Sequence, residues 1–258
     1  MPNIKLIATD LDRTLLRTDK SISDYTAKVL QRCRARGIKI VFATARSYAN
    51  VADYETAVRP DALILTNGAV TRVGGTVTAS QAIPPHIVAQ LLAALRSHPG
   101  TRAISARGLH SSYTNNPQKA AQANQSIDIC HLTDFAAPPT EPILHLSARH
   151  DDHAFMAGLA AQYPQVVMWL VSDEDLYDIN LSTATKWNAL SAVVAQLGIT
   201  PDEVITFGDD LNDIEMLQSA GIGVAVANAL PEAKAVADFV CGSNDNDGVA
   251  RWIEENVL

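Results

Sequence analysis

Cysteine is scarce in this chain of 258 residues, which carries only three. Cys33, Cys130 and Cys241 are scattered and odd in number, and none belongs to a Cys-x-x-Cys pair. This usage excludes a disulfide framework and gives no sign of a zinc site. We therefore expect three reduced, buried thiols.

Positive charge and aromatic residues are also in short supply. The formal net charge is -8 at pH 7, aromatic residues make up 5% of the chain, and no cluster of Lys and Arg is interleaved with them. Nucleic acids and anionic membranes are bound by basic surfaces, so we expect neither as a partner.

Long apolar stretches are absent as well. No run approaches the roughly 18 apolar residues that a membrane-spanning helix needs, and the N-terminal residues lack the basic start and apolar core of a signal peptide. We therefore expect a cytoplasmic protein. The hydrophobic content of 47% is enough for the core of one large domain or two modest ones.

Acidic residues follow two apolar runs that are typical of buried strands. Asp10-Leu11-Asp12 comes after Ile4–Thr9, and Asp209 comes after Val204–Phe207. The carboxyl ends of parallel strands meet at one edge of a sheet, where ligands bind. Asp213 lies four residues after Asp209, at a spacing that keeps it near the same edge if a helix begins there. Mg²⁺ prefers such oxygen ligands, so the pattern predicts a magnesium-dependent phosphoryl-transfer site.

Two further residues fit the same pocket. Thr44 ends the apolar run Ile38–Ala43, and its hydroxyl and the following amides are suited to a phosphoryl oxygen. Lys186 begins a predicted helix, Lys186–Leu197, for which Ser182 and Thr183 are the capping candidates. At 4 Å and an effective dielectric constant of about 20, an ammonium–carboxylate pair is worth about 4 kcal/mol. We therefore expect the loss of Lys186 to affect catalysis more than folding.

These residues together resemble the haloacid dehalogenase superfamily. The motifs that carry the resemblance are Asp10-x-Asp12-x-Thr14, Thr44, Lys186 and Gly208-Asp209-x-x-Asn212-Asp213, in that order along the chain. Asn67-Gly68-Ala69, the long insert before Lys186 and the run Gly223–Ala229 resemble its Cof-type sugar-phosphatase branch with a type C2B cap. The resemblance implies an α/β fold in which a doubly wound, Rossmann-like parallel sheet forms the core and carries an inserted α+β cap domain.

The same organisation follows from the order of the predicted elements. Strands and helices alternate up to Leu65 and again after Lys186. We predict a catalytic core over residues 1–82 and 183–258, and a cap over residues 83–182 that sets substrate specificity. Within the cap, a helix follows Pro84-Pro85, Asp152 caps a second helix, and Asn115–Gln125 forms a surface loop.

The resemblance also implies a role for each site residue. Asp10 attacks phosphorus and forms an aspartyl-phosphate, while Asp12 protonates the leaving alcohol and then accepts a proton from water. Mg²⁺ is bound by Asp10, Asp209 and Asp213 and by the main-chain carbonyl of Asp12. The residues that bind the phosphoryl group or substrate are Thr44, Ala45, Arg46, Asn67, Lys186 and Asn212.

Three positions depart from the family's usual pattern. Arg13 and Ala45 stand where the family usually has glycine, and Trp187 stands where a small residue often follows the lysine. None of these changes removes a reacting atom. They bear on the shape of the site and on the size of the substrate.

Each motif has a simpler interpretation when taken alone. An Asp-x-Asp pair is usually a solvated turn, and Gly208-Asp209-Asp210 is also typical of a capped helix start. Their joint occurrence at strand ends favours a magnesium-dependent phosphatase that acts on a small phosphorylated metabolite, such as a sugar phosphate. Two alternatives stay open: a phosphomutase or phosphotransferase that uses Asp10, and a silent binding protein in which Arg13 or Trp187 blocks the site. The sequence leaves a monomer and a homodimer equally open.

Overall fold

The computed structural model describes residues 3–123, 129–171 and 175–258. The chain forms two compact units. The first unit combines the chain up to Ala79 with Thr185–Leu258, and the second unit is Ser80–Ala184. The assignment of residues 83–182 as a specificity cap stays a prediction.

Strands and helices alternate along most of the chain. The strands, in chain order, are β1 (Leu6–Thr9), β2 (Lys39–Ala43), β3 (Ala62–Leu65), β4 (Val70–Val73), β5 (Thr76–Ser80), β6 (Thr101–Arg107), β7 (Ser111–Thr114), β8 (Ile129–Leu132), β9 (His145–His150), β10 (Val166–Val171), β11 (Leu176–Leu181), β12 (Val204–Gly208), β13 (Ile222–Ala225) and β14 (Phe239–Val240). The helices are α1 (Asp24–Ala35), α2 (Ala52–Val58), α3 (Pro85–Ser97), α4 (Pro117–Ala123), α5 (His153–Gln162), α6 (Lys186–Gln196), α7 (Ile214–Ser219), α8 (Pro231–Val236) and α9 (Gly248–Asn256).

The first unit is built on an eight-stranded sheet with the order β14-β13-β12-β1-β2-β3-β4-β5. The strands from β14 to β3 are parallel, and β4 is antiparallel to β3. Their short apolar runs are buried throughout in β1, β3, β12 and β13, as expected for a parallel sheet that is covered on both faces.

Helices cover this sheet from both sides. Leu190 and Val193 of α6 pack against Leu6 and Val41 on one face. On the other face, the ring of Phe207 meets Trp252 of α9 edge-on, with ring centroids 5.5 Å apart. The predicted doubly wound α/β core is therefore confirmed.

The strand order changes direction between β1 and β12. The chain runs from β1 to β2 and β3 on one side, and β12 returns to pair with β1 on the other, with Thr9 opposite Phe207. A crevice outside the carboxyl ends of the strands is expected at such a switch point. Asp10 and Asp209 follow directly after these two strands.

The second unit is an α+β structure, as predicted. Its six-stranded sheet has the order β10-β11-β9-β6-β7-β8 and is antiparallel except for the parallel pair β7–β8. Leu91 of α3 and Met156 of α5 belong to the same buried cluster as Ile104, Leu146 and Ile179 of the sheet. Asp152 caps α5 as predicted, because its Oδ1 accepts the Phe155 amide at 2.9 Å.

The prediction of a surface loop over Asn115–Gln125 is wrong, because α4 occupies most of it. The Asn116 Oδ1 accepts the amides of Gln118 at 3.0 Å and Lys119 at 3.1 Å, and Pro117 takes the first helical position. Residues 124 and 125 of that prediction lie outside the described residues. Across the described part of the chain, no helix has the length and apolar character to cross a membrane.

Candidate active site

The main chain places Asp10 and Asp209 side by side at the end of two neighbouring strands. The Asp10 amide donates to the Phe207 carbonyl at 3.0 Å, which extends the β1–β12 ladder by one residue. Both aspartates are buried, with 5% and 4% of their surface exposed. The ladder therefore sets the separation of the two carboxylates.

Asp213 completes a cluster of three buried carboxylates, here called the acidic triad: Asp10, Asp209 and Asp213. One oxygen from each lies within 4.8 Å of the others. The Asp213 Oδ2 accepts the amides of Asp209 at 2.9 Å and Asp210 at 3.1 Å, which fixes its side chain. Glycine is required at position 208, because a Cβ there would lie 2.4 Å from the Asp213 Cβ.

Lys186 neutralises part of this charge. Its Nζ lies 2.7 Å from the Asp10 Oδ1 and 2.6 Å from the Asp213 Oδ1, and the side chain is 1% exposed. Thr185 caps α6, since its side chain accepts the Asn188 amide at 3.1 Å. The prediction of Ser182 and Thr183 as caps is therefore wrong. The residue directly before the lysine is the one that fixes where the helix begins.

The burial of three carboxylates beside one ammonium changes the pKa values of several of these groups. Burial and the neighbouring Asp213 and Asp209 carboxylates raise the pKa of Asp10, although Lys186 opposes the rise. Burial and Asp213 raise the pKa of Asp209 to about 6. Burial alone would lower the pKa of Lys186, but the facing Asp10 and Asp213 carboxylates raise it above its ordinary value. Lys186 is therefore a permanent cation.

The acidic triad fits a hard divalent cation. Its donors are all carboxylate oxygens, which is the set that Mg²⁺ and Ca²⁺ prefer. One lysine leaves the three carboxylates short of positive charge, and a divalent cation would supply it. The Thr14 Oγ1 donates to the Asp209 Oδ1 at 2.7 Å, so Oδ2 is the Asp209 oxygen with the freer lone pairs.

Asp12 lies in a different environment. Its carboxylate receives two hydrogen bonds from Arg46, Nε to Oδ2 at 2.6 Å and Nη2 to Oδ1 at 2.7 Å, and one from the Lys20 Nζ to Oδ1 at 2.7 Å. Burial would raise the pKa of Asp12, but these hydrogen bonds hold it at about 2. The Tyr54 hydroxyl donates to the Lys20 carbonyl at 2.9 Å and so helps to place this lysine. Sequence reasoning missed Lys20 and Tyr54, since no motif spacing marks them.

The predicted phosphoryl-binding residues form a connected group. The buried Thr44 accepts the Asn67 amide at its carbonyl at 3.1 Å and the Arg46 amide at its hydroxyl at 3.2 Å. The Asn212 Nδ2 donates to the Asn67 Oδ1 at 2.9 Å, and the Asn212 Oδ1 is buried without a partner. Ala45 is exposed at the same turn. The structure therefore brings these residues together, and their contact with phosphate stays a prediction.

The two other departures from the family pattern are placed differently. Trp187 is partly buried and packs against the apolar cluster between α6 and the sheet. Arg13 follows Asp12, and its Nε lies 3.7 Å from the Asp209 Oδ2. Of these two residues, only Arg13 has an ion-pair contact with a member of the acidic triad.

Comparisons with known proteins show which sequences and structures this chain resembles. A model of haloacid dehalogenase-like hydrolases matches residues 7–253. A 5-amino-6-(5-phospho-D-ribitylamino)uracil phosphatase of Bacillus subtilis is 27% identical, over 97% of this chain and 96% of that protein. A pyridoxal phosphate phosphatase of Escherichia coli is 26% identical, over 98% of this chain and 99% of that protein. A solved haloacid dehalogenase-like hydrolase from Bacteroides thetaiotaomicron is similar with a TM-score of 0.83 and 26% identity, over 98% of this chain and 99% of that one.

Proposed function

Because the chain belongs to the haloacid dehalogenase-like hydrolase family, we propose that it is a magnesium-dependent phosphatase that hydrolyses a small phosphorylated metabolite through an aspartyl-phosphate on Asp10. The observation that carries this proposal is the buried contact of Lys186 with Asp10 and Asp213, beside Asp209. The named relatives act on phosphate esters of small molecules, which supports the same class here, such as a sugar phosphate.

Asp10 is the nucleophile in this proposal. Lys186 fixes the Asp10 Oδ1 at 2.7 Å and favours its ionised form against the burial that raises its pKa. The Oδ2 attacks phosphorus in line, the bond between phosphorus and the ester oxygen breaks, and an aspartyl-phosphate results. Most of the rate enhancement comes from positioning and from charge stabilisation.

The acidic triad and the Asp12 main-chain carbonyl would hold Mg²⁺. When bound, the ion neutralises the phosphoryl oxygens, which otherwise repel an anionic nucleophile. Lys186 adds a permanent positive charge in direct contact with Asp10 and Asp213. Thr44, Asn67 and Asn212, with the backbone amide of Ala45, orient the phosphoryl group, and the Arg46 amide fixes the Thr44 hydroxyl.

Asp12 transfers the protons. It donates one to the leaving alkoxide, and its carboxylate then takes one from the water that attacks the aspartyl-phosphate, so inorganic phosphate leaves and Asp10 is restored. In the free enzyme, Arg46 and Lys20 hold the pKa of Asp12 at about 2, which favours the base form. Substrate binding must therefore loosen these ion pairs before Asp12 acts as the acid.

Phosphate release from a panel of phosphorylated sugars, nucleotides and cofactors tests the proposal, with and without Mg²⁺. We expect magnesium-dependent release by the wild type and none by Asp10→Asn. Asp53→Asn is the matched control, since it makes the same chemical change on the exposed surface of α2. Release that survives in Asp10→Asn would refute the nucleophile, and a requirement for a bisphosphate activator would indicate a phosphomutase.

A further inference from the structure

Arg13 adopts a backbone conformation that side chains seldom take. Its φ is 62° and its ψ is 4°, in the left-handed region, directly between Asp12 and Thr14. Residues other than glycine are uncommon there, and an outlier of this kind beside a reactive group points to a function.

The surrounding hydrogen bonds hold Arg13 in this conformation. The Asn228 Nδ2 donates to the Arg13 carbonyl at 2.7 Å, and the Asn228 Oδ1 accepts the Asn244 amide at 3.0 Å. The Asn244 Nδ2 in turn donates to the Leu16 carbonyl at 2.9 Å. Two asparagines from the C-terminal part of the sequence therefore fix the main chain of Arg13. This fixes the position of its Cα beside Asp12, from which the side chain extends.

The guanidinium group itself is only loosely held. Its Nη2 lies 3.5 Å from the Asn228 carbonyl and its Nε 3.7 Å from the Asp209 Oδ2, and the side chain is 55% exposed. Both distances are long for a hydrogen bond. A guanidinium has five N–H donors, so most of them are available at the edge of the site.

We propose that Arg13 binds a second anionic group of the substrate, so that the enzyme prefers phosphate monoesters whose leaving group carries a further phosphate or a carboxylate. This inference rests on the proposed function. A planar guanidinium matches the two oxygens of such a group, and the paired hydrogen bonds are stronger than those between neutral groups. Asp209 does not hold the guanidinium in a hydrogen bond, because its Oδ2 lies 3.7 Å from the Arg13 Nε.

The test compares substrates that differ only in the second anion. The pairs are 3-phosphoglycerate with glycerol 3-phosphate, for a carboxylate, and fructose 1,6-bisphosphate with fructose 1-phosphate, for a phosphate. In Arg13→Gly, we expect kcat/KM to fall about tenfold more for the member with the second anion, which corresponds to one charge-assisted paired contact. The loss should appear mainly in KM.

Arg59→Gly is the matched control. Arg59 is also exposed and also left-handed, with a φ of 56°, but it follows α2 instead of Asp12. Its replacement removes the same charge and the same backbone strain from another position. It should leave the ratio between the paired substrates unchanged.

Calorimetric binding separates this inference from the proposed function. In the Asp10→Asn background, 3-phosphoglycerate should bind more tightly than glycerol 3-phosphate, and Arg13→Gly should remove the difference. Equal binding of the two, or an equal loss of kcat/KM for both members of a pair, would overturn the second-anion subsite. If the wild type hydrolyses no ester, the proposed function fails, and the binding comparison still decides the role of Arg13.

Discussion

Lys186 is one of the largest side chains that the described residues bury almost completely. From the sequence we expected the loss of Lys186 to affect catalysis more than folding. Its burial implies that its loss reduces both the catalytic rate and the free energy of unfolding. Lys186→Met would leave Asp10 and Asp213 without their shared cation, and breaking a buried ion pair in this way costs about 3–5 kcal/mol. Urea unfolding in the absence of divalent cations measures this cost.

The control for that experiment is Lys28→Met, which changes an exposed lysine of α1. It should leave the free energy of unfolding within about 0.5 kcal/mol of the wild-type value. If Lys186→Met changed the free energy of unfolding as little, the description of Lys186 as buried in ion pairs with Asp10 and Asp213 would be wrong.

His150 makes the stability of the second unit depend on pH. It is buried and stacks on Phe155, its Nδ1 accepts the Asp152 amide at 3.0 Å, and its Nε2 has no partner. Burial, with His98 nearby, lowers the pKa of His150 below 6.5, although Asp152 and Asp151 oppose the shift. The unfolded chain therefore takes up the proton more readily.

The sign of the effect follows from that difference. Well above pH 6.5 the histidine contributes no pH dependence, and as the pH falls through 6.5 its contribution to the free energy of unfolding should decrease. Replacement His150→Asn should flatten this decrease, whereas His110→Asn, at an exposed position, should keep it. Unfolding curves at pH 7.5 and 5.5 measure the slope. Because the raised pKa values of Asp10 and Asp209 act in the opposite direction, the measured quantity is the difference between the wild type and His150→Asn. An equal change in both proteins between pH 7.5 and 5.5 would contradict the prediction.

Single residues of the site were predictable where a motif and a strand end coincided. Asp10 and Asp209 lie where the apolar runs before them indicated. Lys20 and Tyr54 were not predictable, because the contact of Lys20 with Asp12 and the contact of Tyr54 with the Lys20 carbonyl depend on how a turn and α2 lie in the folded chain. The left-handed backbone of Arg13 was equally hidden, although an arginine in place of the family's glycine marked the position.

At the scale of elements, the N-cap residue of helix α6, Thr185, links stability to catalysis. Thr185→Ala removes the acceptor of the Asn188 amide and should cost about 1 kcal/mol. It should also lower kcat, since Lys186 is the next residue and depends on where the helix begins. Thr185→Ser keeps the hydroxyl and should restore most of both losses.

The N-cap of α1 provides the comparison. Ser23 accepts the Thr26 amide at 3.0 Å in the same unit, and neither Ser23 nor the residue after it belongs to the acidic triad. The Ser23 hydroxyl also donates to the Asp247 Oδ1 at 2.7 Å, so Ser23→Ala should lower the melting temperature by at least as much and leave kcat unchanged. An equal loss of kcat in both variants would assign the effect of Thr185 to general destabilisation.

Elements with strong local signals were predicted well. The bounds of β2, β12 and α6 agree to within one residue with the predicted Ile38–Ala43, Val204–Phe207 and Lys186–Leu197. The hairpin of β4 and β5 was missed, although Gly74 and Gly75, both with positive φ, form the two-residue turn that such hairpins favour. The Asn116-Pro117 start of α4 was a similar local signal that the Asn- and Gln-rich composition obscured.

At the scale of the whole molecule, the proposed metal ligands all belong to the first unit. Mg²⁺ should therefore stabilise that unit by about 2.7 kcal/mol at 100 times its dissociation constant. Trp187 and Trp252 report on this unit, and Trp169→Phe removes the tryptophan of the second unit. Fluorescence-detected unfolding with and without Mg²⁺ measures the shift. Asp213→Asn should abolish it, and a shift that persists in this variant would place the ion elsewhere.

The insertion of the second unit also has a consequence for synthesis on the ribosome. β1 lies between β12 and β2 in the sheet, but β12 follows β1 in the sequence by about three quarters of the length of the chain. At 5–20 residues per second, β1 waits roughly ten to forty seconds for that partner. During this time its apolar edge is open to pairing with other nascent chains. The order of translation thus leaves the strand directly before Asp10 exposed to aggregation until β12 has been made.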